Sequence, residues 1–406
     1  MSSHLNNILF THSGGVTSVV NTVAANIALL AKHDHKHLYV PRFGVDGILS
    51  GDYHRYDTLS ESQWHQIAYT PGSSFGSSRT RLPEHIDDYQ LIFQQFETLS
   101  IGTFFCNGGN NSQLITLKMQ EAADHLGYPL KCIGIPKTID NDIFETDTCP
   151  GYGSCAKYTA TSVYEMSLDL AAMCQSSTKV LIYEAMGRDT GWIAAASALA
   201  KSHPQSGPHI ILLPEAQFSL KDLLSKVRST IKQYNHCVIC IAEGASDIDG
   251  ILLKKRTHYP YISLYLNEMI SGQLDVKTHV VIPDYLQRSA RHLASETDVA
   301  QTTELAKHAY KLAINGKKGI MTTVKRNQTE PYSWSIDSVE LTRIAGKTRT
   351  LPNEFVSDDQ LFVTDACIQY IKPLILGEVY PPYHLGLPEY SNMIYNNHKV
   401  NNKDNI

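Results

Sequence analysis

The chain has 406 residues, 42% of them hydrophobic, a formal net charge of −5 and a pI near 6.4. That is enough apolar material for two compact domains, and the acidic balance excludes a general nucleic-acid binder, which needs a basic surface to neutralise phosphates. Eight irregularly spaced cysteines are no secreted disulfide framework. The start "MSSHLNNILFTHSGG" lacks a signal peptide's basic end and apolar stretch, and no run reaches the roughly 18 apolar residues of a membrane span, so a cytoplasmic protein with reduced thiols is expected.

The first element, "NILFT" from Asn7, reads as a buried strand that passes through Gly14-Gly15 into the helix "VVNTVAANIALLAK". Glycines between a strand and a helix let a phosphate reach backbone N–H groups at the helix start, although a plain tight turn has the same pattern. "KHDHKH", residues 32–37, reads as the solvated end of that helix rather than a metal site, because no acidic or thiolate cluster accompanies its histidines.

The unit repeats in "GTFFC" and "SQLITLKMQEAADHLG", with the turn Gly108-Gly109-Asn110-Asn111-Ser112 between them. Two asparagines stand where a hard cation would call for a carboxylate. The strand "KCIGIP" then leads into "GIPKTIDND", residues 134–142. Pro136 ends the strand and Lys137 brings a point charge. Asp140 and Asp142 are two apart, so in an extended loop they point to opposite sides, one to substrate and one to a metal or neighbouring backbone; a helix-capping aspartate turn is the alternative.

A helical stretch from about 155 to 174 opens a second series: the strand "KVLIYEAMG", a helix through "TGWIAAASALAKS", the strand "HIILLPE", the helix "SLKDLLSKVRSTIKQY" and the strand "HCVICIAEG". In "EAMGRDTGWIAA", Arg188 can contact phosphoryl oxygens, with a surface ion pair as the alternative. The CxxC of Cys237 and Cys240 lies inside the apolar "CVICIA" and reads as core packing. The alternation predicts an α/β protein of two domains sharing a cleft, and a mobile tail over 391–406.

In order, "SGGVTSVVN", "PGSSFGSSRTRL", "NGGNNS", "PKTIDND", "EAMGRDTGWIA", "PEAQF", "AEG" and "YLQRSAR" resemble the phosphofructokinase family over most of the chain. The lysine of "PKTIDND" resembles its pyrophosphate-dependent branch, whereas ATP-dependent members usually carry glycine there. The resemblance implies two Rossmann-like, three-layer α/β domains with a shared active-site cleft. Residues 1–142, rejoined by part of 285–390, would hold the phosphoryl donor, and 143–284 the sugar phosphate. The implied reaction is reversible transfer from pyrophosphate to fructose 6-phosphate, giving fructose 1,6-bisphosphate and phosphate, with Mg2+ as cofactor.

By the same resemblance Asp140 is the base on the sugar 1-hydroxyl, Lys137 positions the pyrophosphate and Arg188 steadies the moving phosphoryl group. Gly14, Gly15, Arg79, Gly109, Asn111 and Ser112 fall on the donor side. Thr138, Met186, Gly187 and Glu243 fall on the sugar side, and Tyr285 and Arg288 hold the 6-phosphate. Lys179 matches a basic position that reaches a neighbouring subunit's sugar site, which implies a homo-oligomer, dimer or tetramer. By residue type alone, Glu243 could cap a turn, Tyr285 could be a core aromatic, and Arg81 competes with Arg79 for one contact.

Two departures stand out. Asn110 occupies the position of the family's magnesium-binding aspartate, so the expected metal ligands are Asn110 and Asp142, with magnesium arriving on pyrophosphate. Asn111 replaces the glycine that leaves room for a nucleotide. The alternatives are an ATP-dependent enzyme and, because of the acid missing at 110, an inactive sugar-phosphate-binding regulatory subunit.

Overall fold

The computed structural model describes residues 5–396. Strand β1 (Asn7–Ser13) is followed by β2 (Leu38–Pro41), β3 (Tyr53–Arg55), β4 (Ile101–Gly108) and β5 (Lys131–Pro136). With β10 (Ile320–Gln328) and β11 (Ser333–Glu340) they form a seven-stranded sheet in the order β11-β10-β5-β4-β1-β2-β3. Its centre is parallel, while the pairs β2–β3 and β10–β11 at the two edges are antiparallel.

Side-chain alternation divides this sheet into two core layers. Ile8, Phe10, Phe105 and Ile133 pack beneath the helices Val20–His33 and Glu296–Ile314. Leu9, Phe104, Cys106 and Cys132 pack on the other face, against the helices Tyr89–Thr98 and Asn110–Leu126. Helices on both faces are what let a parallel sheet be apolar on both sides.

The second sheet is parallel throughout. It comprises β6 (Val180–Ala185), β7 (Ile210–Leu212), β8 (Cys237–Ala242) and β9 (Thr278–Val281) in the order β7-β8-β6-β9. Cys237 and Cys240 are buried free thiols in β8, as the apolar run implied. The expected helix through 190–202 is one α-helical segment, Trp192–Ala196, continued as a 3-10 turn to Ala200.

The chain after 285 serves both units. Residues 296–340 complete the first sheet, whereas Leu351, Val356, Leu361, Cys367 and Leu374 join the core of the second. Of the tail, Ser391 N–H donates to Thr70 Oγ1 (2.8 Å) and Met393 packs on the first core. Residues 397–406 lie outside the described residues. Among the described residues no helix is long and apolar enough to cross a membrane.

From β1 the chain steps first to β2 on one side and later to β4 on the other. Such a reversal opens a crevice at the carboxyl ends of the two strands. Ser13 is registered with Gly108 there, so the two glycine turns lie side by side.

Candidate active site

A cavity of about 560 Å3 lies at this crevice and extends to the ends of β6 and β8. Gly14, Gly15, Arg79, Gly109, Asn110, Asn111, Ser112, Lys137, Thr138, Asp140, Asp142, Met186, Arg188, Glu243 and Arg288 all line it. Segments separated by up to 274 residues, from Gly14 to Arg288, thus meet around one space.

The turn after β4 has no room for a larger first residue. A Cβ at Gly108 would lie 2.0 Å from Ser112 Oγ and 2.7 Å from the Ser13 carbonyl oxygen. Ser112 Oγ itself donates to that carbonyl (3.3 Å), tying the second glycine turn to the first strand. Gln113, unremarked in the sequence, donates from Nε2 to Gly108 O (2.8 Å) and Ile135 O (3.3 Å), so one buried amide holds the ends of β4 and β5.

Lys137 follows β5 and is 2% exposed. Its Nζ donates to Ser13 O (3.0 Å) and to Gly15 O, on the neighbouring turn. Burial, with the positive charges of Arg288 and Arg79, lowers the ammonium to about 8, against the opposing pull of Asp140. Arg288 Nη1 comes within 3.4 Å of where a Gly15 side chain would begin.

The structure corrects the reading of "TIDND" as extended. Asn141 has φ 53, in the left-handed region, and its side-chain oxygen accepts from Cys149 N–H (3.0 Å). The turn brings Asp140 and Asp142 to the same cavity rather than to opposite sides. Burial raises the Asp140 carboxyl to about 7, and the nearby charges of Asp142, Glu243 and Asp189 push the same way. Burial also raises Asp142.

Asn110 Nδ2 donates to Asp142 Oδ2 (2.7 Å) and to its backbone carbonyl (3.3 Å). The side chain expected to offer a metal an oxygen therefore uses its amide group to hold a carboxylate. Among the described residues no three His, Cys, Asp or Glu side chains gather into a metal cage. One or two carboxylates beside a phosphate site do fit magnesium, which keeps waters and takes much of its coordination from substrate phosphates.

At the other wall, Arg188 is 79% exposed and its Nε lies 3.4 Å from Glu243 Oε1. The surface ion pair posed as an alternative is thus present, within the cavity lining. The glycine of "AEG" explains how the two loops come so close: a Cβ at Gly244 would lie 1.8 Å from the Arg188 carbonyl oxygen. Gly187 supports the same contact through its carbonyl, which accepts from Gly244 N–H (3.0 Å), and it does not itself line the cavity. Buried Gln287 accepts from Met186 N–H (3.1 Å), linking "YLQR" to this loop.

Tyr285 is 62% exposed, which removes the core-aromatic alternative. It stands outside the cavity lining with the Arg288 guanidinium 3.9 Å from its ring centre. Arg79 and Arg81 both line the cavity. Lys118 joins them; its spacing of seven from Asn111, two helical turns on the same face, was a signal in the sequence.

Lys179 is not brought to this cavity. It precedes β6, at the opposite end of the strand from Met186, and its Nζ donates to Cys174 O and to Asn235 Oδ1 (2.7 Å) within its own chain. The "KHDHKH" histidines lie at and beyond the end of the helix Val20–His33, where His33 pairs with Asp34 and His37 with Asp57.

The family model described as Phosphofructokinase matches residues 7–313. A pyrophosphate–fructose 6-phosphate 1-phosphotransferase of Halomonas elongata is 37% identical, with 99% of each chain covered. One from Xanthomonas campestris is 39% identical over 95% of each. The crystal structure of a pyrophosphate-dependent phosphofructokinase from Marinobacter aquaeolei superposes with a TM-score of 0.87 at 39% identity, covering 95% of each chain. Matched over most of its length and by relatives of equal extent, the chain belongs to the phosphofructokinase family.

Proposed function

We infer that the protein transfers a phosphoryl group from pyrophosphate to the 1-hydroxyl of fructose 6-phosphate, giving fructose 1,6-bisphosphate and phosphate, in either direction. The observation that carries this reading is the buried ammonium of Lys137 on the floor between two glycine turns, facing a cavity that also holds Asp140. The names of the near-full-length relatives point the same way.

Phosphoryl transfer asks a protein mainly for placement and neutralisation of charge spread over the transferred oxygens. In this reading the donor lies against Gly14, Gly15, Gly109, Asn111 and Ser112, with Lys137, Arg79 and Arg81 meeting its charge. The sugar phosphate sits towards Thr138, Met186, Glu243 and Arg288, with Tyr285 stacked behind Arg288. Residues 1–142 with the returning 296–340 form the donor side and 143–284 the sugar side. Asp140 takes the proton from the attacking hydroxyl. The exposed Arg188 exchanges its partner Glu243 for the phosphoryl oxygens.

Asp142, steadied by Asn110, with Asp140 nearby, would hold magnesium carried in on pyrophosphate; the ion supplies further neutralisation of phosphate charge. Asn111 fills space that a nucleotide would need, so rejection of ATP is steric. A homo-oligomer remains part of the reading, although Lys179 must release two intrachain hydrogen bonds to serve a neighbouring copy.

Initial rates with fructose 6-phosphate and magnesium, comparing pyrophosphate with ATP, test this. Turnover with pyrophosphate alone is expected. Turnover with ATP alone would show that Asn111 leaves the nucleotide room, and binding of the sugar without transfer from either donor would favour the regulatory-subunit reading.

A further inference from the structure

The two loops that carry Asp140 and Arg188 belong to different units of the fold, and a single strap crosses behind both. Residues 341–351 leave β11 of the first sheet through the short helix Leu341–Ile344 and end at Leu351 in the core of the second. Thr348 bridges Ile143 in antiparallel fashion. Arg349 comes next, partly buried.

Its backbone N–H donates to Asp142 O (2.7 Å). Nε donates to Asn141 O (3.1 Å), and Nη1 to Thr146 O and Asp147 O (both 2.5 Å). The guanidinium also lies 4.8 Å from the ring centre of buried Trp192, directly after the Gly191 that ends the Arg188 loop. Two residues on, Leu351 N–H donates to Glu215 Oε1 (2.9 Å), whose carboxylate accepts from Gly191 N–H (3.1 Å). The strap is therefore bonded to the first loop directly and to the second through the Glu215 carboxylate.

We propose that Arg349 is a positioning residue for the transfer step, holding the loop of Asp140 and Asp142 in its turned form and in register with the loop of Arg188. A planar fork of fixed donors suits this task, since three carbonyls that diverge along a loop can be gathered by one guanidinium. Asn141 sits in the left-handed region, which asparagine tolerates at some cost, and Arg349 Nε donates to its carbonyl oxygen there. The proposal rests on the transfer reading above.

The test is steady-state kinetics of Arg349→Met and Arg349→Lys with fructose 6-phosphate, pyrophosphate and magnesium, alongside sugar-phosphate binding by calorimetry. A displacement of about 1 Å at a reacting group costs on the order of 10²-fold. Arg349→Met is expected to lose about that much in kcat, with the KM and calorimetric affinity for fructose 6-phosphate held, because Arg288 and Glu243 are untouched. Arg349→Lys, which keeps a donor for the Thr146 and Asp147 carbonyls but not for Asn141, is expected to recover part of the loss. If Arg349→Met does not fold, the same split between kcat and KM in Arg349→Lys decides.

Wild-type kcat in the folded variants, or a loss confined to KM, overturns the proposal while leaving the function intact. Failure of the wild-type chain to transfer from pyrophosphate or ATP overturns the functional reading and, with it, any positioning for transfer.

Discussion

Asp140→Asn is expected to lower kcat by about 10²–10⁴-fold, the range a positioned general base supplies, while fructose 6-phosphate binding is retained. The substitution keeps the shape of the side chain and removes its ability to take a proton. The surrounding loop does not depend on the lost charge: Cys149 N–H donates to the Asn141 side-chain oxygen and Arg349 Nε to the Asn141 backbone carbonyl. Burial, with Asp142 and Glu243 nearby, raises the Asp140 carboxyl from 3.8 to about 7.

Because the base acts when deprotonated, kcat/KM of the wild-type protein should rise with pH through a limb near 7 and fall again as the Lys137 ammonium, lowered to about 8, loses its proton. The stability effect has the opposite sense. Between 3.8 and about 7 the folded state binds this proton more strongly than the unfolded chain, so Asp140 makes the fold less stable as pH rises through that window. Turnover of Asp140→Asn at the wild-type rate would remove Asp140 from its role.

Lys137→Met should reduce kcat/KM for pyrophosphate by about 10²–10³-fold, comparable with losing one preorganised donor in a catalytic site. The ammonium is held by the Ser13 and Gly15 carbonyls, so its position is set before any ligand arrives. Methionine fills much of the volume but takes the Lys137 donor from the Gly15 carbonyl, at about 1–3 kcal/mol, while the Ser13 carbonyl keeps Ser112 Oγ, and it spares the fold the cost of a buried charge. The two terms oppose, and thermal unfolding should move far less than activity. The fructose 6-phosphate affinity, carried on the other wall, should hold. Unchanged kcat/KM for pyrophosphate with an intact fold would contradict the placement of the donor.

The parts of this site legible in the sequence are those coded over a few residues. Strand, glycine turn and helix in succession at Gly14-Gly15 and at Gly108-Gly109 mark the crevice, because buried apolar runs and glycines act locally. What was missed depends on contacts across long separations. Arg349 lies about two hundred residues beyond the loop it binds, in a stretch with no motif of its own. The antiparallel strands β10 and β11 escaped because a half-exposed hairpin carries a weak apolar signal; only the first half of β10 is buried.

The two aspartates were misread for a related reason. Spacing by two implies opposite faces only while the backbone stays extended, and the asparagine of "IDND" permits a positive φ without requiring it. Its conformation follows from Cys149 and Arg349, which the local sequence does not contain. Asn110 likewise reads as a weakened metal ligand until the fold places Asp142 beside its amide.

The most direct test follows the phosphorus itself. Protein, fructose 6-phosphate, pyrophosphate and magnesium are mixed and observed by phosphorus NMR as the reaction proceeds. The account predicts that the pyrophosphate signal falls while a sugar 1-phosphate ester and inorganic phosphate rise in equal amounts, and that adding fructose 1,6-bisphosphate and phosphate runs the change backwards. An unchanged pyrophosphate signal, or its conversion to phosphate with no new ester, would contradict the assignment of this cavity to phosphoryl transfer from pyrophosphate.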